Sequence, residues 1–109
     1  MKIKKFLLVF ILLVTFNSQT SFADEAKMIK GLEIFNEIAG CAACHVLNAA
    51  GSEGNIGPNL DTVEGLNYDS VMDIVTHGLG VMPAFGEDEI LTKEEIDIVS
   101  FYVANSVGK

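Results

Sequence analysis

Apolar and polar residues alternate with a helical period in three segments of the chain. Met28, Leu32 and Phe35 stand three or four positions apart, which predicts an amphipathic helix from Asp24 to Ala39. Gly31 interrupts this helix at a cost of about 1 kcal/mol relative to alanine. A second helix that crosses closely at this position would explain the glycine.

Two further helices are predicted in the second half of the chain. Apolar residues at helical spacing predict a short helix from Tyr68 to Thr76, and Gly78 follows its end. The sequence Thr92-Lys93-Glu94-Glu95 has the pattern of a capping box and predicts the start of a final helix. The side of this helix expected to be buried carries Ile96, Val99, Tyr102, Val103 and Ser106.

The segments between the predicted helices have no usable period. Residues 46–67 contain repeated glycine and asparagine residues, and so long a loop is unusual in a small domain unless it wraps a cofactor. A second loop, from Gly80 to Gly86, carries Met82 and Pro83. Because no strand-like alternation of useful length occurs, the predicted fold class is all-α.

The beginning of the chain has the order of a secretory signal peptide. Three lysines within the first five positions precede an apolar run at residues 6–16, and Ser21-Phe22-Ala23 supplies small residues for cleavage. The run is far shorter than the ~20 residues that cross a bilayer. We therefore predict a cleaved signal peptide at residues 1–23, a domain at residues 24–109, and export to the periplasm without a permanent membrane span. An uncleaved anchor is the alternative.

Net charge excludes several classes of partner. All 15 acidic residues follow position 23, but only four of the seven lysines do, and the chain has no arginine. Residues 24–109 therefore carry four positive charges against 15 negative ones, a net charge of −11. Such a surface repels nucleic acid and anionic membranes and favours protein partners with a basic docking surface. Solubility alone is the simpler explanation of part of this excess.

The pentapeptide Cys41-Ala42-Ala43-Cys44-His45 is the most specific chemical pattern in the chain. It has the spacing of c-type haem attachment, in which each thiol adds to a vinyl group and the histidine becomes an axial ligand. The chain has no other cysteine. A thioredoxin-type redox motif is a weaker interpretation, because it belongs beside a βαβ pattern. A zinc site would need His77 as a fourth ligand, and adjacent Cys44 and His45 are awkward for tetrahedral geometry.

Four side chains are candidates for the opposite axial position of such an iron. Met28 and Met72 lie at helical core spacing, which favours packing. Met82 lies in a loop that Pro83 stiffens, which suits a side chain aimed at a metal. His77 stands at the end of a predicted helix, where a cationic side chain is favourable. We interpret His77 as a helix-end or haem-edge residue, with ligation as the alternative.

Taken in order, these features resemble those of the small class I c-type cytochromes, over the whole chain after the predicted signal. The resemblance rests on five segments: Gly31-x-x-x-Phe35, Cys41-Ala42-Ala43-Cys44-His45, Gly57-Pro58-Asn59-Leu60, Met82-Pro83-Ala84-Phe85 and Phe101-Tyr102-Val103. It implies a class I cytochrome c fold, with three to four helices wrapped round one covalently attached haem.

The resemblance also implies a set of site residues. One haem c would be held by Cys41 and Cys44, with His45 as the proximal and Met82 as the distal iron ligand. The carbonyl group of Pro58 would accept a hydrogen bond from the other nitrogen of His45, which orients the ring.

Two structural expectations follow from the same resemblance. The first and last helices are expected to cross at right angles, with Gly31 at the contact and Tyr102 opposite. Because the chain has neither arginine nor tryptophan, the haem propionates would have to be bound by backbone groups, asparagine, Tyr68 or the few lysines.

The sequence thus predicts a soluble one-electron carrier, not an enzyme, that is monomeric or weakly associating. With both axial positions filled, no site remains for oxygen or a substrate. The alternative is a dedicated electron-accepting subunit of an exported oxidoreductase such as a dehydrogenase complex. A third possibility, an enzyme or gas sensor, requires a vacant sixth position. The acidic clusters 87–89 and 94–97 are expected to be solvated faces or a docking patch.

Overall fold

The computed structural model describes residues 22–109. The predicted signal peptide, apart from its last two residues, lies outside the described residues. Within them, no helix is both long and apolar enough to cross a membrane.

The first helix, α1, comprises residues 22–33 and ends in one wider turn at Ile34–Ile38. In that turn the N–H of Ala39 donates to the carbonyl of Ile34, five residues back, at 2.8 Å. The turn places Ile34 and Phe35 in the core, where both are almost fully buried. Gly40 then reverses the chain with a φ of 69°, a left-handed conformation that favours glycine. The prediction of a helix before the pentapeptide is confirmed.

Helix α2 spans Tyr68–His77 and packs mainly against α3, which spans Lys93–Ser106. The predicted capping box is present, since Thr92 accepts from the N–H of Glu95 at 3.1 Å and Glu95 accepts in return from the N–H of Thr92. All five residues predicted for the buried side of α3 are buried. The apolar core consists of Ile34, Phe35, Leu47, Val71, Val75, Phe85, Leu91, Ile96, Val99, Tyr102 and Val103.

Helices α1 and α3 meet at Gly31. A Cβ atom built there would stand 3.2 Å from the carbonyl oxygen of Ile98 and only 2.2 Å from Cβ of Tyr102, which is closer than any side chain can approach. One turn later, the rings of Phe35 and Tyr102 are tilted against each other with centroids 6.0 Å apart. The predicted contact between Gly31 and Tyr102 is therefore confirmed, and close backbone approach explains the glycine.

The long segment between α1 and α2 contains a short sheet that the sequence did not predict. Strands β1 (Val46–Leu47) and β2 (Ser52–Glu53) pair antiparallel, with Leu47 opposite Ser52. The buried hydroxyl of Ser52 accepts from the N–H of Leu47 at 2.9 Å and donates to the carbonyl of His45 at 2.8 Å. The fold is thus mostly helical, in agreement with the predicted all-α class, with this small sheet as an addition. Single 3₁₀ turns occur at Cys41–Ala43, Asn48–Ala50 and Leu60–Thr62.

Asp97 joins the three helices at one surface. Its carboxylate accepts a hydrogen bond from the Tyr68 hydroxyl at 2.5 Å and an ion pair from Lys27 at 2.8 Å. The Lys27 ammonium group also lies 4.8 Å from the centre of the Phe101 ring. Lys27, followed by Tyr68, lowers the pKa of Asp97 below its ordinary value, and Asp97 in turn raises the pKa of Tyr68 to about 12.

Candidate functional site

Cys41 begins a 3₁₀ turn directly after Gly40, and Cys44 is the residue that ends this turn. The N–H groups of Cys44 and His45 both donate to the carbonyl of Cys41, at 3.1 and 3.0 Å. Side chains three residues apart on such a turn eclipse one another, so the two thiols are presented on the same side. Both cysteines are half-buried and neither forms a disulfide. This arrangement can anchor one flat group at two neighbouring points.

The thiol of Cys41 is not of the reactive type. Burial raises the pKa of this thiol to about 11, an effect that a backbone hydrogen bond partly opposes and the neighbouring Cys44 slightly reinforces. Redox cysteines of the thioredoxin type have depressed pKa values instead. A thioredoxin-type motif would lie beside a βαβ unit. In residues 22–109 the only sheet is the short antiparallel β1–β2 pair, which does not provide one.

His45 is oriented by the backbone of the loop that precedes α2. Its Nδ1 atom lies 2.8 Å from the carbonyl oxygen of Pro58. A carbonyl only accepts, so Nδ1 must carry the proton and donate. In the neutral ring with this donor, the other ring nitrogen, Nε2, carries the lone pair that can bind a metal. The structure therefore brings the His45 ring and the Pro58 carbonyl together, which is the contact that the resemblance implied.

Two glycines allow this loop to lie against the pentapeptide. A Cβ atom at Gly57 would stand 2.5 Å from Cε1 of His45. At Gly54 a Cβ atom would stand 2.6 Å from the carbonyl carbon and oxygen of Ala43. Gly57 belongs to one of the segments that carry the resemblance, but its contact with His45 is not predicted from the sequence. The only local indication is that Gly57 directly precedes Pro58. Gly54 gave no signal beyond loop composition.

Met82 lies at the tip of the loop between α2 and α3. Leu79 and Met82 exchange two backbone hydrogen bonds, at 3.2 and 3.0 Å, which closes a tight turn. Gly78 precedes this turn with a φ of 75°, and a Cβ atom there would stand 2.8 Å from the carbonyl oxygen of Met82. Met82 itself is half-buried and packs against the core. The Met82 side chain therefore projects from a turn whose backbone is fixed by its own hydrogen bonds.

The same loop is anchored to the last turn of α2. The N–H of Phe85 donates to the carbonyl of Val75 at 2.9 Å, and Phe85 is buried. The N–H groups of Gly86 and Glu87 both donate to the carbonyl of Thr76, at 3.2 and 3.1 Å. Residues 78–86 thus form a loop that is held at its base as well as at its tip.

His77 is the last residue of α2, as predicted, and its side chain is exposed. Its Nδ1 lies 2.5 Å from Oε1 of Glu87, and its Nε2 lies 3.6 Å from Oδ1 of Asp73. The hydrogen bond to Glu87, supported by the charge of Asp73, raises the pKa of His77 above its ordinary value of 6.5. His77 and Met82 both line a shallow cavity of about 490 Å³, together with Gly78, Leu79, Gly80, Val81, Pro83, Ala84 and Asp88.

The other metal-ligand candidates lie elsewhere. Met28 and Met72 are on α1 and α2, and both pack against the core, as their helical spacing predicted. Between residues 22 and 109, no group of three or more His, Cys, Asp or Glu side chains is placed to hold a metal ion. His77 accordingly does not join Cys41, Cys44 and His45 in the zinc site considered above.

Comparison with known proteins places this geometry in a family. Residues 26–103 match a family model described as cytochrome c oxidase, cbb3-type, subunit III. The chain belongs to the c-type cytochromes. It is 34% identical to cytochrome c6 of Gloeothece citriformis (strain PCC 7424) over 94 residues, which cover 82% of this chain and 78% of the relative. The solved structure of the c-type cytochrome SorU from Sinorhizobium meliloti is 45% identical, covers 78% of this chain and 95% of that chain, and superposes with a TM-score of 0.70.

These likenesses identify a small class I c-type cytochrome, which is an electron carrier with covalently bound haem c. Cys41 and Cys44 fit the attachment motif of that cofactor. The residues around the two cysteines also suit this cofactor. Nδ1 of His45 is engaged by Pro58, so Nε2 can serve as a ligand, and the missing side chain of Gly57 leaves room for the imidazole ring.

Three side chains that could have bound the haem propionates already have partners. The hydroxyl group of Tyr68 and the ammonium group of Lys27 both contact Asp97. Lys30 pairs with Glu33 on the surface of α1 at 3.0 Å. The remaining candidates for the propionates are backbone N–H groups, asparagine side chains, Lys93 and Lys109.

Proposed function

We propose that this cytochrome is an exported, periplasmic one-electron carrier whose haem iron is ligated by His45 and Met82. The observation that supports this most strongly is the 2.8 Å contact between Nδ1 of His45 and the Pro58 carbonyl, which leaves Nε2 as a ligand. The haem, when bound, supplies an iron that holds or releases one electron.

The protein residues have separate tasks in this proposal. Cys41 and Cys44 hold the haem through two thioether bonds. Pro58 and Gly57 orient the imidazole of His45, and its hydrogen bond to the carbonyl increases the basicity of the ring. Met82 supplies a thioether, which raises the reduction potential relative to a second histidine. With His45 and Met82 both ligating the bound haem, the site would exchange electrons and leave no position for a substrate.

Covalent attachment and ligation are tested separately. The double variant Cys41→Ala/Cys44→Ala is expected to lose all haem that survives denaturation, as measured by in-gel haem staining. Haem that remains attached would contradict the attachment proposal. The wild-type ferrous protein is expected not to bind carbon monoxide without denaturant, because Met82 occupies the sixth position. Ready binding would favour a sensor or enzyme instead.

We expect the redox partner to present a basic surface with an apolar centre. Leu79 and Val81 lie in the same turn as Met82 and are 70% and 90% exposed. Asp73, Glu87 and Asp88 lie in or beside the same cavity. Weak redox encounters use small interfaces of this kind, with charge steering the approach. Electron transfer with the true partner should therefore slow steeply as salt is raised, and salt independence would contradict the basic surface.

The alternative is a dedicated subunit of an exported oxidoreductase. The description of the matching family model names a subunit of an oxidase, which is the observation in its favour. A free carrier, monomeric or weakly associating, should elute from a native extract at the mass of one chain. Co-elution with a larger enzyme after high-salt washing would favour the subunit.

A further inference from the structure

We propose that His77 and Glu87 are positioning residues for Met82, because their ion pair closes the loop of residues 78–86 and its loss at alkaline pH makes the methionine easier to displace. This inference rests on the proposed ligation by Met82 and assigns a role to two residues outside the ligand set.

The pair lies at the mouth of the loop. His77 is the residue immediately before it and Glu87 is the residue immediately after it. Their side chains meet at 2.5 Å, directly beside the backbone hydrogen bonds that Gly86 and Glu87 donate to Thr76. The two ends of the loop are therefore joined twice, by the backbone hydrogen bonds to Thr76 and by the contact between the His77 and Glu87 side chains.

Displacement of Met82 has to disturb this closure. The Leu79–Met82 turn is short and internally bonded, so it is expected to move as a unit about its two ends. One end is Gly78, next to His77, and the other is the segment from Phe85 to Glu87. An interaction that joins the two ends stabilises the closed loop and is absent from any state in which the ends separate.

The charges around His77 make this closure depend on pH. Among the described residues, the ionisable side chains that contact His77 are Glu87 and, on its own helix, Asp73, while Asp88 lines the same cavity. All three are acidic, and the hydrogen bond to Glu87, followed by the charge of Asp73, raises the pKa of His77. A raised pKa means that the stabilisation is complete at pH values below the ordinary 6.5 and is lost as the pH rises through the raised value.

The effect is expected to be small and measurable. Both side chains are more than half exposed, and exposed ion pairs change an equilibrium by about five-fold at most. A competing ligand for the ferric iron reports this equilibrium directly, because it binds only when Met82 has left.

The test is the affinity of cyanide for the ferric holoprotein across a pH series. Wild type is compared with Glu87→Gln, His77→Asn and the control Glu89→Gln, which removes a neighbouring charge that does not contact His77. The ratio of variant to wild-type affinity cancels the protonation of cyanide itself. For the first two variants we expect a ratio of about two to five between about pH 5 and 6, falling to one at alkaline pH.

A ratio of one at every pH for both variants would overturn the proposal, and so would an equal effect of Glu89→Gln. Failure of the proposed ligation is recognised independently. In that case the wild-type ferric protein would lack the red charge-transfer absorption of a methionine-ligated haem, whichever variant is compared.

Discussion

Gly57 lies against the imidazole ring of His45 so closely that a Cβ atom at this position would stand 2.5 Å from Cε1 and 2.9 Å from Nδ1. The carbonyl of the next residue, Pro58, accepts a hydrogen bond from the same ring. The N–H of Gly57 also donates to the carbonyl of Cys44 at 2.7 Å. The backbone of two consecutive loop residues therefore sets the orientation of the proposed proximal ligand.

Replacement of Gly57 by alanine tests this relationship. The added methyl group has to displace the His45 ring or the loop, at about 1–3 kcal/mol, which is the usual cost of overpacking. We expect Gly57→Ala to lower the yield of holoprotein and to change both its haem spectrum and its midpoint potential. Gly65→Ala is the matched control, because Gly65 has a positive φ but no atom near its missing Cβ. The control should lose some stability and keep the wild-type spectrum. Identical spectra and potentials for wild type and Gly57→Ala would show that the ring is not held by this contact.

The contact of Gly31 with Tyr102 makes a second prediction. A methyl group at Gly31 would overlap Cβ of Tyr102 on the opposite helix. We expect Gly31→Ala to lower the free energy of unfolding by at least about 2 kcal/mol, even though alanine is the better helix former. Urea denaturation of the holoprotein measures this, with Glu33→Ala as an exposed control on the same helix. If Gly31→Ala were as stable as the control, the close approach of α1 and α3 would be wrong.

Asp97 gives a prediction that depends on pH. Its pKa is lowered first by Lys27 and then by Tyr68. A lowered pKa in the folded state contributes stability that is present above the ordinary value of 3.8 and is lost as the pH falls through the lowered value. At neutral pH, Asp97→Asn should therefore cost about 1 kcal/mol, the upper end for a partly exposed pair. The difference from wild type should shrink towards zero in acid. Glu94→Gln, at an exposed position on the same helix, should change little at any pH.

Most of the helical structure followed from local patterns in the sequence. Thr92 and Glu95 lie in one turn, and the side chain of each accepts a hydrogen bond from the backbone N–H of the other. The start of α3 can therefore be recognised from four residues. Gly31 could be assigned to a helix crossing because a glycine in mid-helix is costly without a packing reason. The pentapeptide was equally local, since its chemistry depends on spacing within one turn.

The remaining features depend on partners distant in the sequence or on elements too short to have a pattern. Strands β1 and β2 have two residues each, which cannot show alternation. The hydroxyl of Tyr68 was considered for the haem propionates, but it meets Asp97, 29 positions later. His77 was recognised as a helix-end residue, while its partner Glu87 was placed only in an acidic cluster. The sequence does not show which residue of that cluster contacts His77, because this depends on the path of the backbone through residues 78–86.

The most direct test of the proposed electron carrier is Met82→Ala, compared with Met72→Ala, which removes a half-buried methionine from α2. We expect Met82→Ala to retain covalent haem because Cys41 and Cys44 are untouched. Its ferrous form should bind carbon monoxide, and its midpoint potential should fall on the order of 0.1 V, within the ≈ 0.8 V that axial ligands span. Met72→Ala should lose stability and keep the wild-type potential. A Met82→Ala protein with the wild-type potential and no affinity for carbon monoxide would contradict the account.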